Sequence, residues 1–213
     1  MRNIIFASCV MLWGCASEID NKPAATVEDV KTAPAIEKTA PAAPAGEAPT
    51  ANSGWKQAEG SKIEWVGAKV TGDHSGGFNK FESNIVVENN ELQSIELTID
   101  MGSVFSDNEK LTGHLMSADF FEVENFASAS FKSTGIEKKD VAGASHLIKG
   151  ELGMRGVTKA IAFPANISVS EGEVSVNAEF SINRTLWNIV YPGKSDDLIK
   201  EDVLIKSGFK FTK

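Results

Sequence analysis

The chain has 213 residues, 42% apolar and 23% charged, with a formal net charge of −8. That acidity, with no cluster of Lys and Arg, excludes a nucleic-acid-binding surface and electrostatic adhesion to anionic lipid. Its two cysteines, Cys9 and Cys15, both precede residue 16. Disulfides, thiolate metal sites and cysteine nucleophiles are therefore excluded from everything that follows.

The first element is "MRNIIFASCVMLWGC". Arg2 precedes a short apolar run, too short for a membrane span, so residues 1–14 read as an export signal. Leu12, Gly14 and Cys15 resemble the end of a bacterial lipoprotein signal, which makes Cys15 the expected point of lipid attachment. The alternative is cleavage by an ordinary signal peptidase. Residues 15–53 read as a lipidated Cys followed by a disordered Ala/Pro-rich spacer. Five of the seven prolines lie there, and such a composition does not bury a core. Extended at about 3 Å per residue, the spacer reaches on the order of 100 Å. Ala16 and Ser17 lack the Asp that holds enterobacterial lipoproteins in the inner membrane. The expected location is the bacterial envelope, on the outer membrane facing the periplasm.

Residues 54–213 are expected to form one domain. Apolar residues alternate through 61–70, 79–88, 94–101, 127–137, 145–154, 160–169, 173–182 and 202–211. Ile95, Leu97, Ile99 and Met101 share one face, as do Val174, Val176, Ala178, Phe180 and Ile182. That pattern predicts about eight antiparallel strands with one apolar face, as in a barrel or sandwich. Asn89-Asn90, Gly143, Arg155-Gly156 and Glu171-Gly172 mark tight turns. Pro164 predicts an edge or bulge within its strand. Between the first two strands, "KVTGDHSGGF" (69–78) reads as a strand end at the barrel rim followed by a flexible turn or bulge at the glycines of 72–77. Leu111, Leu115 and Ala118 have helical spacing, so a short helical segment is expected near 108–119, capped by Asp107 or Asn108.

Asp73, His74 and Ser75 suggest a catalytic triad, but consecutive side chains point apart and do not meet as nucleophile, base and orienter. The histidines lack metal-ligand spacing; the alternative is a two-histidine site of His74 and His114 with Asp73 or Glu122. The glycines of 72–77 do not have the spacing of a phosphate loop. Arg155 reads as a structural turn residue. Arg184 reads as a tie at the barrel end, with a lipid-headgroup contact as the alternative. Trp65, Phe78, Phe81, Phe120, Phe131, Phe163, Phe180 and Trp187 compete for the interior, and periodicity leaves a solid core and a lined cavity both open.

Four stretches resemble the YceI-like family. They are "WVGAKVTGDHSGGF" (65–78), "LTGHLMSADFFEVENFASASFKSTGI" (111–136), "IKGELGMRGVTKAIAFP" (148–164) and "FSINRTLWNIVY" (180–191). Asn183 stands where Asp is frequent in that family, and Asn188 where Gly is frequent. The resemblance implies an eight-stranded lipocalin-like barrel whose pore holds a polyisoprenoid or another lipid-like chain. It implies no catalysis, no metal, and no cofactor beyond such a bound lipid. The ligand-binding candidates are then the eight interior aromatics together with Leu111 and Leu115. His74, His114 and Arg184 become polar groups at the rim. The expected partners are a lipid-like small molecule and a membrane reached through the anchor; monomer and homodimer both stay open. The alternative function is a structural or interaction module of the envelope with a filled core. Cavity volume separates the two, since a drug-sized ligand needs about 300 Å³ or more.

Overall fold

The computed structural model describes residues 17–30 and 54–213. Within them lie β1 (Thr26–Asp29), β2 (Lys56–Gln57), β3 (Lys62–Lys69), β4 (Gly72–Phe78), β5 (Phe81–Glu88), β6 (Glu91–Asp100), β7 (Val104–Ser106), α1 (Glu109–Met116), β8 (Ser128–Val141), β9 (Ala144–Met154), β10 (Val157–Val169), β11 (Glu173–Asn183), β12 (Gly193–Lys194) and β13 (Asp197–Thr212). Three 3-10 turns complete them: Glu18–Asn21, Met101–Ser103 and Arg184–Trp187. The strands pair in the order β5-β6-β8-β9-β10-β11-β13-β3-β4-β7. The eight strands expected from period two are β3, β5, β6, β8, β9, β10, β11 and β13.

Three hairpins turn on two consecutive residues with positive φ: Asn89–Asn90 (51° and 64°), Ala142–Gly143 (52° and 80°) and Arg155–Gly156 (49° and 72°). This mirror-image turn matches the right-handed twist of the strands it joins. The sheet thus curls around one apolar interior. Phe131, Phe163 and Phe180 pack in series, the first pair tilted at 5.5 Å between centroids and the second stacked at 4.1 Å. At the seam the ladder gives way to side chains. Phe81 of β5 meets Phe209 of β13 edge-on at 5.8 Å, and Ser83 donates to Gln57 of β2 at 2.5 Å. The fold is an antiparallel lipocalin-like barrel with one α-helix among the described residues. Asn108 caps that helix, accepting from the amides of Lys110 and Leu111.

Two expectations are corrected. First, Gly72–Phe78 is not a turn: it is a strand, paired with β3 on one side and β7 on the other. Its glycines answer close packing. A Cβ on Gly76 would lie 2.0 Å from the Phe105 carbonyl oxygen and 2.5 Å from the Trp65 ring.

Second, residues 17–30 are not a free spacer. β10 pairs with β11 only from Ala165 onward, and with β1 over Lys159–Ala162. Pro164 sits where the neighbour changes, so its missing N–H breaks no ladder. Ala25 and Ser181 are joined by an amide-to-carbonyl bond of 2.8 Å. The N-terminal segment therefore fills the splay between β10 and β11 and covers an edge that would otherwise be exposed. Just before it, Ile19 is buried against Val66, Ala68 and Leu204 on the outer wall. Four ion pairs flank it: Glu18–Lys206, Asp20–Lys200, Lys22–Glu179 and Asp29–Lys159. These pairs are exposed and screened by solvent, so they add little. Burying Ile19 contributes about 1.5–3 kcal/mol.

Ile19→Asp is expected to release this segment, because burying an unpaired carboxylate costs more than the apolar contact supplies. Amide exchange at residues 25–29 should accelerate strongly while β13 stays protected. Unchanged protection at 25–29 would contradict the docking described here.

Candidate functional site

Inward-facing residues of β3, β4, β11 and β13, closed over by α1, surround an upper cavity of about 150 Å³. Trp65, Leu111, Leu115, Phe120, Ile189 and Val203 supply apolar wall, and Lys69, His74 and Arg184 bring the ionisable groups. A lower cavity of about 120 Å³ lies among Ile95, Phe131, Ile148, Phe163, Phe180 and Phe209. Phe78, Met154, Ile182 and Ile205 line both. These four side chains are what separates the two voids.

Gly67 widens the upper cavity. A Cβ there would meet only the Trp65 ring, at 3.9 Å. The buried indole N–H of Trp65 has no acceptor among the described residues, at a cost of about 1–3 kcal/mol.

Arg184 is 5% exposed, yet among the described residues no carboxylate pairs with it. Its guanidinium is held by carbonyls. Nε donates to Lys200 O at 3.1 Å, Nη2 to Tyr191 O at 2.9 Å and to Ile199 O at 3.4 Å, and Nη1 to Ile189 O. Burial lowers its pKa from the ordinary guanidinium value, and Glu201 opposes that. The side chain thus ties residues 189–191 to the start of β13. Its place is the cavity wall rather than an exposed rim, and its role as a tie is the one expected.

At the cavity's outer end, Asp197 accepts from Lys69 Nζ at 2.6 Å, from the Thr71 amide at 3.1 Å and from its hydroxyl at 3.0 Å. His74 bonds Asp107 at 2.9 Å, and Asp107 also accepts from the Ser75 amide. His114 bonds Asp119 at 2.8 Å and packs edge-on against Phe120 and Tyr191, each at 4.9 Å. The two histidines thus serve different carboxylates.

Eight of the ten apolar candidates line a cavity: Trp65, Phe78, Leu111, Leu115, Phe120, Phe131, Phe163 and Phe180. Two do not. Phe81 closes the seam against Phe209. Trp187 is fully buried and donates its indole N–H to Leu152 O at 3.0 Å. His114 is likewise outside both cavity walls, while His74 lies in one. Arg155 donates to the carbonyls of Ala118 and Asn188 and to Glu122, a structural role as expected. Cys15 lies outside the described residues. Sequence reasoning missed Gly67, Met154, Ile182 and Ile205 as wall residues. Ile182 and Ile205 carried a signal, since both alternate with other inward side chains.

An antiparallel barrel with a cavity-bearing apolar interior is the class this geometry defines. A profile of the YceI-like domain matches residues 56–211. A UPF0312 protein of Pseudomonas putida strain GB-1 is 26% identical over 140 residues, 62% of this chain and 71% of that protein. A UPF0312 protein of Shewanella baltica strain OS185 is 33% identical over 100 residues, 46% of this chain and 51% of that one. Among solved structures, Burkholderia cenocepacia BcnA superposes with TM-score 0.62 at 20% identity, covering 70% of this chain and 95% of its own. A polyisoprenoid binding domain from Saccharophagus degradans, implicated in plant cell wall breakdown, gives 0.59 at 16% identity, covering 74% and 97%. The chain belongs to the YceI-like family.

Two outcomes follow from the site. Arg184→Met keeps the apolar stem but orphans the carbonyls. At about 1–3 kcal/mol for each buried group left unpaired, and with four carbonyls affected, urea unfolding should show a loss of at least about 3 kcal/mol; a neutral result would contradict the tie. Asp197 has its pKa lowered from 3.8, first by the Lys69 hydrogen bond. A lowered folded pKa stabilises above the unfolded value and ceases to as pH falls. Exchange at Val70–Thr71 should therefore accelerate below about pH 3.8, and Asp197→Asn should abolish that dependence.

Proposed function

We propose that this chain is a membrane-tethered envelope protein that holds a long apolar ligand, an isoprenoid or acyl chain, inside the barrel and performs no chemistry on it. The observation that carries this reading is the pair of apolar cavities separated only by Phe78, Met154, Ile182 and Ile205. Each void alone is smaller than the roughly 300 Å³ of a drug-sized site. Ligand entry therefore requires the separating side chains to move. Met154 is unbranched and adaptable, and Phe78 is half-buried at a strand end. Turning both aside, with Ile182 and Ile205 giving way between them, joins the voids into one tunnel.

Membership of the YceI-like family supports this, as does the fold shared with the Saccharophagus degradans domain described as polyisoprenoid-binding. The signal-like residues 1–14 and Cys15 support export and lipidation, and the lack of Asp at Ala16 and Ser17 supports placement on the outer membrane, facing the periplasm. The second reading, an envelope module with a filled core, is favoured by the small volume of each void.

Native mass spectrometry of the purified protein, followed by organic extraction, tests the proposal. A bound apolar species is expected. Gly67→Leu should fill the upper cavity without a backbone clash and lower ligand affinity on the order of tenfold, about 1.4 kcal/mol, with little change in melting temperature. A ligand-free protein that also fails to take up long-chain isoprenoid alcohol would favour the filled core.

A further inference from the structure

The barrel's two ends differ in surface chemistry. Five large apolar side chains are exposed among the described residues, and four of them gather at one end. They are Val70 at 74%, Val190 at 65%, Leu198 at 51% and Leu186 at 39% exposure. The fifth, Phe105, belongs to β7. Hydrogen bonds hold the carriers of the four together. The Val70 amide donates to Leu198 O at 3.1 Å, and the Ile199 amide donates to Pro192 O at 2.9 Å. Arg184 ties residues 189–191 to Ile199 and Lys200. At the opposite end, the turns at Asn89–Asn90, Ala142–Gly143 and Glu171–Gly172 carry no exposed large apolar residue.

The apolar end is also where the upper cavity reaches the surface. Lys69, His74, Leu111 and Ile199 line its outer part and are half-buried. The lateral seam between β10 and β11 is sealed by β1, which leaves this end as the approach to the interior.

The N-terminal segment adds an independent observation. Ser17 lies 3.4 Å from Asp73, three positions from Val70. Cys15 is two residues from Ser17, a reach of about 7 Å at full extension. An acyl group on Cys15 would therefore enter the bilayer beside this end of the barrel. The ordered segment does not hold the domain away at the full reach of a spacer.

We propose that Val70, Leu186, Val190 and Leu198 form a membrane-docking rim, and that its partner is the surface of a neutral bilayer into which these side chains dip. The proposal rests on the anchored, ligand-holding reading above. Exposed apolar side chains clustered at one end mark an interaction surface. The nearby lysines Lys69 and Lys200 are paired with Asp197 and Asp20, and exposed Lys194 shares its hairpin with exposed Asp196, so the rim offers apolar area rather than a basic patch. Its attachment is insensitive to salt and to anionic lipid. Four side chains bind weakly alone; together with a lipid anchor they supply the second signal that stable membrane attachment requires. Docking turns the cavity mouth toward the lipid, so an apolar chain passes between bilayer and barrel with little exposure to water.

The test uses the full chain added to phosphatidylcholine vesicles with brominated acyl chains. Tryptophan is introduced at the rim by Val190→Trp or Leu198→Trp and at the far end by Glu171→Trp, each read against the parent chain. The expected result is several-fold stronger quenching of the rim tryptophan, unchanged by high salt and lost when Val70→Asp and Leu198→Asp are added to Val190→Trp. Equal quenching at 190 and 171, or none at either, overturns the rim. That includes the case in which the chain stays in solution. Ligand retention in the same preparation is read by native mass spectrometry. A chain that keeps its ligand but shows no rim quenching overturns the rim alone; a chain quenched at the rim but empty retains the rim and removes the ligand-holding reading.

Discussion

A single buried guanidinium organises the cavity-bearing end of this barrel. Burying a charge without a counter-charge is costly, and here Arg184 meets the cost with donors to four backbone carbonyls. Those carbonyls belong to two stretches, 189–191 and 199–200, distant from each other along the chain. Tying them fixes the path of the chain after β11. That path places Ile189 on the upper cavity wall and Trp187 in the core. Lysine in place of Arg184 would keep the charge but not the planar fork that reaches several acceptors at once.

The second organising feature is the splay between β10 and β11. A closed ladder would need no further strand there. The gap instead receives β1, and Ile19 covers the outward apolar side chains of Val66, Ala68 and Leu204. The N-terminal residues are thus part of the wall. This bears on function: residues 17–30, expected to belong to a free spacer, instead lie along the barrel with Ser17 beside Asp73.

Much of this was legible in the sequence. Period two gave the eight principal strands and their inward faces, because burial on one side and water on the other is local information. The helix cap was narrowed to Asp107 or Asn108, of which Asn108 serves, and Arg184 as a tie was legible too, from side-chain chemistry placed at an element's end. What stayed hidden depends on distant partners. Gly72–Phe78 looked like a turn because glycine is common in turns, but Gly76 and Gly77 are small so that Trp65 and Phe105 can approach. Residues 17–30 looked like a spacer because their composition matches one. The clue lay elsewhere, in apolar Val66, Ala68 and Leu204 on an outer face that needed a cover. Phe81 and Trp187 carry the residue type of a cavity wall but sit where the seam and core need filling. Size and polarity do not distinguish those roles; three-dimensional position does.

The central claim is that Phe78, Met154, Ile182 and Ile205 separate two voids of one tunnel, and that Phe78 and Met154 move to open it. A crystal structure of the protein saturated with a long-chain isoprenoid alcohol tests it most directly. The account predicts continuous ligand density from the mouth beside His74 to the region of Phe131 and Phe163, with Phe78 and Met154 in altered rotamers. Ligand found only on the outer surface, with both side chains unmoved and the voids still separate, would contradict it.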